Sequence, residues 1–159
     1  MDASQAQALR ALLEGQDLLA LGTLRGGEPF VSMCPYALLP AGQGLVVHVS
    51  RLATHTRDML EHPGVSVLVT DRRSPEVPPQ AVARATLEAS AEPCAEGDPR
   101  YAAARAAYLA RFPDTEFMFG FADFTLFVIV PRALRFVGGF AQAWSITGET
   151  YAGLMADTP

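Results

Sequence analysis

Val47-His48-Val49-Ser50-Arg51-Leu52-Ala53-Thr54-His55-Thr56-Arg57-Asp58-Met59-Leu60-Glu61-His62-Pro63 is the stretch on which the reading of this chain turns. Its β-branched start predicts a strand, its hydroxyls and bases a loop, and its later residues a short helix that stops before His62-Pro63. A further strand is expected at Val65-Ser66-Val67-Leu68-Val69. A strand that delivers Ser50, Arg51, Thr54, His55 and Thr56 to a helix start gathers hydroxyls, a guanidinium and free N–H groups where the helix dipole favours negative charge. That is the chemistry of an anion site. The same residues admit a plainer role, with Ser50 or Thr54 capping the helix.

On the N-terminal side, residues 5–14 place Leu9, Leu12 and Leu13 on one helical face, and Gly15 supplies a stop. Residues 18–24 read as a strand, Arg25-Gly26-Gly27-Glu28 as a hairpin turn, and residues 29–39 as the return strand. Pro40-Ala41-Gly42-Gln43-Gly44 then turns the chain into the strand 45–49. On the C-terminal side, residues 65–70 form a fourth strand, the proline-rich residues 72–80 a loop, and residues 81–89 a strand with one wet face. Asp98-Pro99 opens a helix that runs to Arg111 and ends at Phe112-Pro113-Asp114. Strands at 124–130 and 134–137 flank Pro131-Arg132-Ala133, and a weak helix covers 149–156. Six or seven short strands in hairpin order favour a mainly β, antiparallel barrel with flanking helices, because a parallel sheet needs a helix between each strand pair.

The 159 residues suit a single domain, 1–159, and half of them are hydrophobic. A net charge of −5 argues against general nucleic-acid binding. All twelve basic residues are arginine, which excludes an internal Schiff base and with it ordinary pyridoxal-phosphate catalysis. Cys34 and Cys94 are too few for a disulfide framework or zinc site. The start lacks the pattern of a signal peptide, and the apolar run 117–130, interrupted by Asp123, is too short to span a bilayer, so a cytoplasmic location is the default expectation. His48, His55 and His62 recur every seven residues, but a helical ligand pair sits three or four apart, so no metal site is expected. No nucleophile elbow surrounds Ser32 or Ser50. Cys34 and Tyr36 read first as barrel-wall residues, and Trp144 as a packing anchor.

Three blocks carry a resemblance: Gly27-Glu28-Pro29-Phe30-Val31-Ser32-Met33-Cys34-Pro35-Tyr36, the Val47–Pro63 stretch, and Asp123-Phe124-Thr125-Leu126-Phe127 followed by Arg135-Phe136-Val137-Gly138-Gly139-Phe140. In their order and spacing the chain resembles the pyridoxamine 5′-phosphate oxidase-like, FMN-binding split-barrel proteins, and within them the haem-utilisation branch. The resemblance implies a homodimer of split barrels with FMN in the clefts between subunits. It implies that Ser32, Met33, Cys34 and Tyr36 line the flavin, and that His48 and Val49 flank its tail. Ser50, Arg51, Thr54 and a protonated His55 would surround the phosphate, with Gln80 near the ring. The implied function is an FMN-dependent oxidoreductase with an unknown substrate and no named catalytic residue. A flavin- or haem-binding carrier or sensor without turnover is the alternative, and a cofactor-free interaction protein a third.

The departures narrow this further. Nothing after Arg135 is Arg, Lys or His, so oxidation of pyridoxamine phosphate is not expected. Longer haem-utilisation members add a C-terminal domain linked to haem binding, which this sequence does not show, so haem degradation is not expected either.

Overall fold

Gly26 and Gly27 turn the first hairpin as expected, with φ of 57° and 87° in the left-handed region that a tight two-residue turn demands. They join β1 (Leu18–Arg25) to β2 (Glu28–Pro35) in a computed structural model that describes residues 1–139 and 142–156. The remaining strands are β3 (Ala37–Leu39), β4 (Gly44–Ser50), β5 (Gly64–Thr70), β6 (Arg84–Cys94), β7 (Phe124–Gly139) and β8 (Gln142–Thr147). Helices α1 (Ala3–Gly15), α2 (Thr54–Glu61), α3 (Tyr101–Arg111) and α4 (Gly148–Ala156) flank them.

The strands form one antiparallel sheet in the order β2-β1-β5-β6-β7-β4-β3, with β8 added to β7. Consecutive strands β2 and β3 therefore sit at opposite ends of the hydrogen-bonded order. The chain itself, turning at Tyr36, joins those two ends and closes the sheet into a barrel with a split beside β2. The fold class expected from the sequence holds.

Residues 29–39 are accordingly two strands, not one. Tyr36 leaves the ladder because its N–H bonds to the Asp17 carbonyl at 3.1 Å and its buried hydroxyl donates to the Leu13 carbonyl at 2.6 Å. Conversely, the two strands expected around Pro131 are the single strand β7. Its ladder to β6 shifts register between Glu88 and Ala89, opposite Pro131, so the missing N–H falls at an irregularity. The helix expected from Asp98 begins at Tyr101, since the Asp98 carboxylate is drawn to the backbone N–H and guanidinium of Arg100. Strand β8 went unread, and Phe140 of the family-like block lies outside the described residues.

Two cores result. Inside the barrel, Leu19, Leu21, Leu45, Val47, Leu87, Phe127 and Phe136 pack with Leu9 and Leu13 of α1 and Tyr151 of α4. Outside it, Val46, Leu126 and Val128 pack against Ala104 and Tyr108 of α3. Each fully buried side chain of this kind contributes roughly 1.5–3 kcal/mol. Strand β4 is buried nearly end to end because it serves both cores, alternate residues facing each. Its first residue, Gly44, has φ +126°, and a Cβ there would fall 2.3 Å from the Ile129 carbonyl oxygen.

Candidate functional site

The inward face of the β1–β2 hairpin lies beside α2. Cross-strand pairs Leu19–Cys34, Leu21–Ser32 and Thr23–Phe30 define that face, and α2 is tied to it through Asp58, which accepts the Thr23 hydroxyl at 2.8 Å. Asp58 is buried, and the Arg25 guanidinium lies 3.8 Å from its second oxygen. On the first turn of the same helix, half-buried His55 sets its Nε2 3.9 Å from the Cys34 sulfur. Burial pushes the Cys34 thiol up to about 11, with the Ser32 hydroxyl acting the other way. Burial also lowers the His55 pKa, against the pull of the Asp58 carboxylate, so the imidazole is neutral near pH 7. The Ser32 oxygen is buried and lacks a hydrogen-bond partner at full geometry among the described residues. Ser32, Cys34 and His55 thus form one corner at the split of the barrel.

The rest of the expected site is dispersed. Met33 points outward on β2 and is 64 % exposed, whereas Tyr36 is fully buried with Arg111 packed 5.1 Å from its ring centre. Val49 faces the barrel interior, but His48, one residue earlier, faces the α3 layer and stacks on Phe119 at 3.9 Å. Gln80 is exposed on the turn before β6, its carbonyl taken by Arg84, and no hydrogen bond joins it to the corner among the described residues. The three histidines do not converge. Among the described residues no group of three or more His, Cys, Asp or Glu is placed to hold a bare metal ion.

The anion nest is corrected. Ser50 donates its hydroxyl to the Asp123 carboxylate at 2.5 Å and accepts the Leu52 N–H at 3.1 Å. Arg51 gives its backbone N–H to the Asp123 carbonyl at 2.7 Å and its guanidinium to the Ala122 carbonyl. The groups expected to hold a phosphate are therefore engaged by the chain's own loop, and the loop brings a negative charge to them. His55 is neutral rather than protonated, which removes the second expected cation. Neither hydroxyl caps α2: its cap residue is Ala53, with no side-chain bond, while Thr54 occupies the first helical position. Asp123 and Asp58 were missed as site residues; the spacing of His55 and Asp58 on one helix was the signal for the second.

Comparison with known proteins adds to this geometry. The family model described as pyridoxamine 5′-phosphate oxidase matches residues 6–138. The non-canonical haem oxygenase HOZ of Arabidopsis thaliana chloroplasts is 36 % identical over 149 residues, 92 % of this chain but 44 % of that protein. A haem-binding protein from Mycobacterium smegmatis superposes with a TM-score of 0.84 and 33 % identity, covering 96 % of this chain and 62 % of the other. The haem storage protein HutZ of Vibrio cholerae gives 0.68 and 25 %, covering 79 % and 88 %. The chain thus spans less than half of the length of the first and less than two thirds of the second. All three relatives carry haem, not flavin, in their names, and this overturns the expectations of an FMN cofactor and an FMN-dependent function.

Proposed function

We propose that this chain, which belongs to the pyridoxamine 5′-phosphate oxidase family, is a haem-binding split barrel that takes haem at the β2–α2 corner and works as a homodimer. Haem asks for apolar surface along the porphyrin plate, a neutral nitrogen or a sulfur donor for iron, and polar partners for its propionates. The observation that carries the reading is the pairing of neutral His55 with Cys34 at the split, 3.9 Å apart. A neutral imidazole keeps the lone pair that iron requires, so His55 would be the donor to haem iron, with the buried Cys34 thiol packed against it. Leu52, 81 % exposed beside this turn, supplies apolar surface. Arg57, exposed on α2 and without a partner among the described residues, is a free cation for a propionate.

The dimer reading draws on the outward face of β2–β1–β5. Leu18, Leu24, Val31, Met33 and Leu68 are exposed there, and Ala20 pairs with both Met33 and Leu68, so the strip is continuous across three strands. A contiguous apolar strip of this kind marks a contact surface rather than scattered exposure. Bound haem supplies redox and oxygen chemistry through its iron; the protein's part is to ligate, orient and shield. Asp58, held by Thr23 and Arg25, fixes α2 against the barrel and so fixes His55.

Titration of the purified chain with haemin tests the reading. A Soret band that saturates at one haem per chain is expected, with an altered band in His55→Ala and in Cys34→Ser. Haemin that adds without saturation, or a double variant with the wild-type spectrum, refutes the site. Addition of ascorbate in air then separates two uses: a bleached Soret band shows the oxygenase activity named for the Arabidopsis relative, and a persistent band shows a carrier.

A further inference from the structure

We propose that the cavity under the residues 113–121 segment, on the side of β4 opposite the Cys34–His55 corner, is a binding site for a small organic ammonium ion. The cavity has a volume of about 200 Å³ and is walled by His48, Tyr101, Phe119, Phe121 and Phe124, with Glu96 at its rim. It lies within the outer core, whereas Cys34 belongs to the barrel interior. Nothing in the haem reading uses it, and it is too small for a porphyrin.

Three features select the ligand. His48 is only 6 % exposed and its Nδ1 has no hydrogen-bond partner among the described residues. A buried polar atom left in that state is costly unless a guest or a water satisfies it. Stacking on Phe119 at 3.9 Å and an edge contact with Tyr108 at 5.6 Å fix the ring, so the free nitrogen is held in place. The second feature is the aromatic wall, which attracts cations: Phe119 is covered by His48 at 3.9 Å and by the Arg105 guanidinium at 5.0 Å, which leaves Tyr101, Phe121 and Phe124 to offer π surface. That arginine is neutralised by Glu116 at 3.2 Å.

The third feature is charge. Glu92 and Asp98 are both committed to Arg100, and Asp123 accepts the Ser50 hydroxyl. Glu96 alone of the acidic groups around this cavity has no partner among the described residues. A cation entering past it gains a counter-charge, and an anion is repelled. An alkylammonium ion fits all three: its N–H bonds donate to the His48 lone pair, its charge meets the π faces and Glu96, and its short chain fills the apolar remainder.

An isosteric series tests the assignment on the haem-free full chain labelled with 15N at its three histidines. n-Butylammonium should titrate the His48 nitrogen resonances saturably and bind about tenfold tighter than 1-butanol, as expected for one charge-assisted contact. Butyrate should not bind. Glu96→Gln, a rim change that leaves the core intact, should weaken n-butylammonium, and His48→Phe should do so while keeping the stack on Phe119. Equal binding of the alcohol overturns the proposal, and so does unchanged affinity in Glu96→Gln. A cavity that answers to none of the three probes holds water only, which overturns it as well.

Discussion

Replacing His48 with phenylalanine should change how the fold responds to acid. The His48 ring is 6 % exposed, and burial lowers its pKa from 6.5 to about 4. The folded state therefore binds the proton less readily than the unfolded chain: this difference in proton affinity has no effect above pH 6.5, and stability is lost as pH falls from there toward 4. At pH 4.5 the unfolded imidazole is almost fully protonated and the folded one mostly neutral. The difference is about 2.5 kcal/mol, from roughly 1.4 kcal/mol per pH unit over the two units below 6.5. Urea unfolding of wild type and His48→Phe at pH 7 and pH 4.5 measures it, since carboxylates and His55 titrate alike in both and cancel. The wild type should lose about 2.5 kcal/mol more than the variant. At pH 7 the variant should match or exceed wild type, because the unsatisfied Nδ1 is gone and the ring stack on Phe119 remains. Identical acid losses in the two proteins would refute the placement of a neutral imidazole in the outer core.

Thr23→Val removes the hydroxyl that donates to buried Asp58, and should cost about 1–3 kcal/mol in urea unfolding, the penalty of an unsatisfied buried acceptor. Gly44→Ala should destabilise the fold by more than 2 kcal/mol, roughly the threshold for large single-site effects, because the added Cβ meets the Ile129 carbonyl; thermal melts check it. Asp123→Asn keeps the shape of the contact with Ser50 but removes its charge, so calorimetry should detect no binding of inorganic phosphate to wild type and measurable binding to the variant. Arg111→Ala severs the bonds from α3 to the Glu14 and Gln16 carbonyls and to Asp17, and should lower Tm while leaving the haemin titration unchanged.

Local chemistry carried most of the architecture. The Gly26–Gly27 turn, the strand at β5 and the apolar face of α1 rest on neighbours in sequence and lie where they were expected, whereas the strand expected at 81–89 runs as β6 from Arg84 to Cys94. What was illegible depended on contacts between distant residues. Nothing local says that Tyr36 leaves the ladder to bond Leu13, or that a shift at Glu88 lets β7 run through Pro131. The site divides in the same way. Cys34 and His55 were both named, but their approach needs α2 folded onto the hairpin, which Thr23 and Asp58 arrange.

The contrast between His48 and Val49 shows why residues adjacent in sequence need not share a site. Both were assigned to one cofactor tail because they are adjacent in sequence. Adjacent strand residues point to opposite sides, and β4 is covered on both sides: Val47 and Val49 enter the barrel, while Val46 and His48 enter the α3 layer. A strand buried on one face would have sent one of the pair to solvent. The second layer instead turns one histidine into the wall of a separate cavity, and the other, His55, stays with the barrel corner because its helix is anchored there by Asp58. Ser50 sits at the end of β4, where the Asp123 carboxylate accepts its hydroxyl. The same stretch that reads as an anion nest thus serves as a brace between β4 and the residues leading into β7, and its neighbours on either side, His48 and His55, face the two proposed sites.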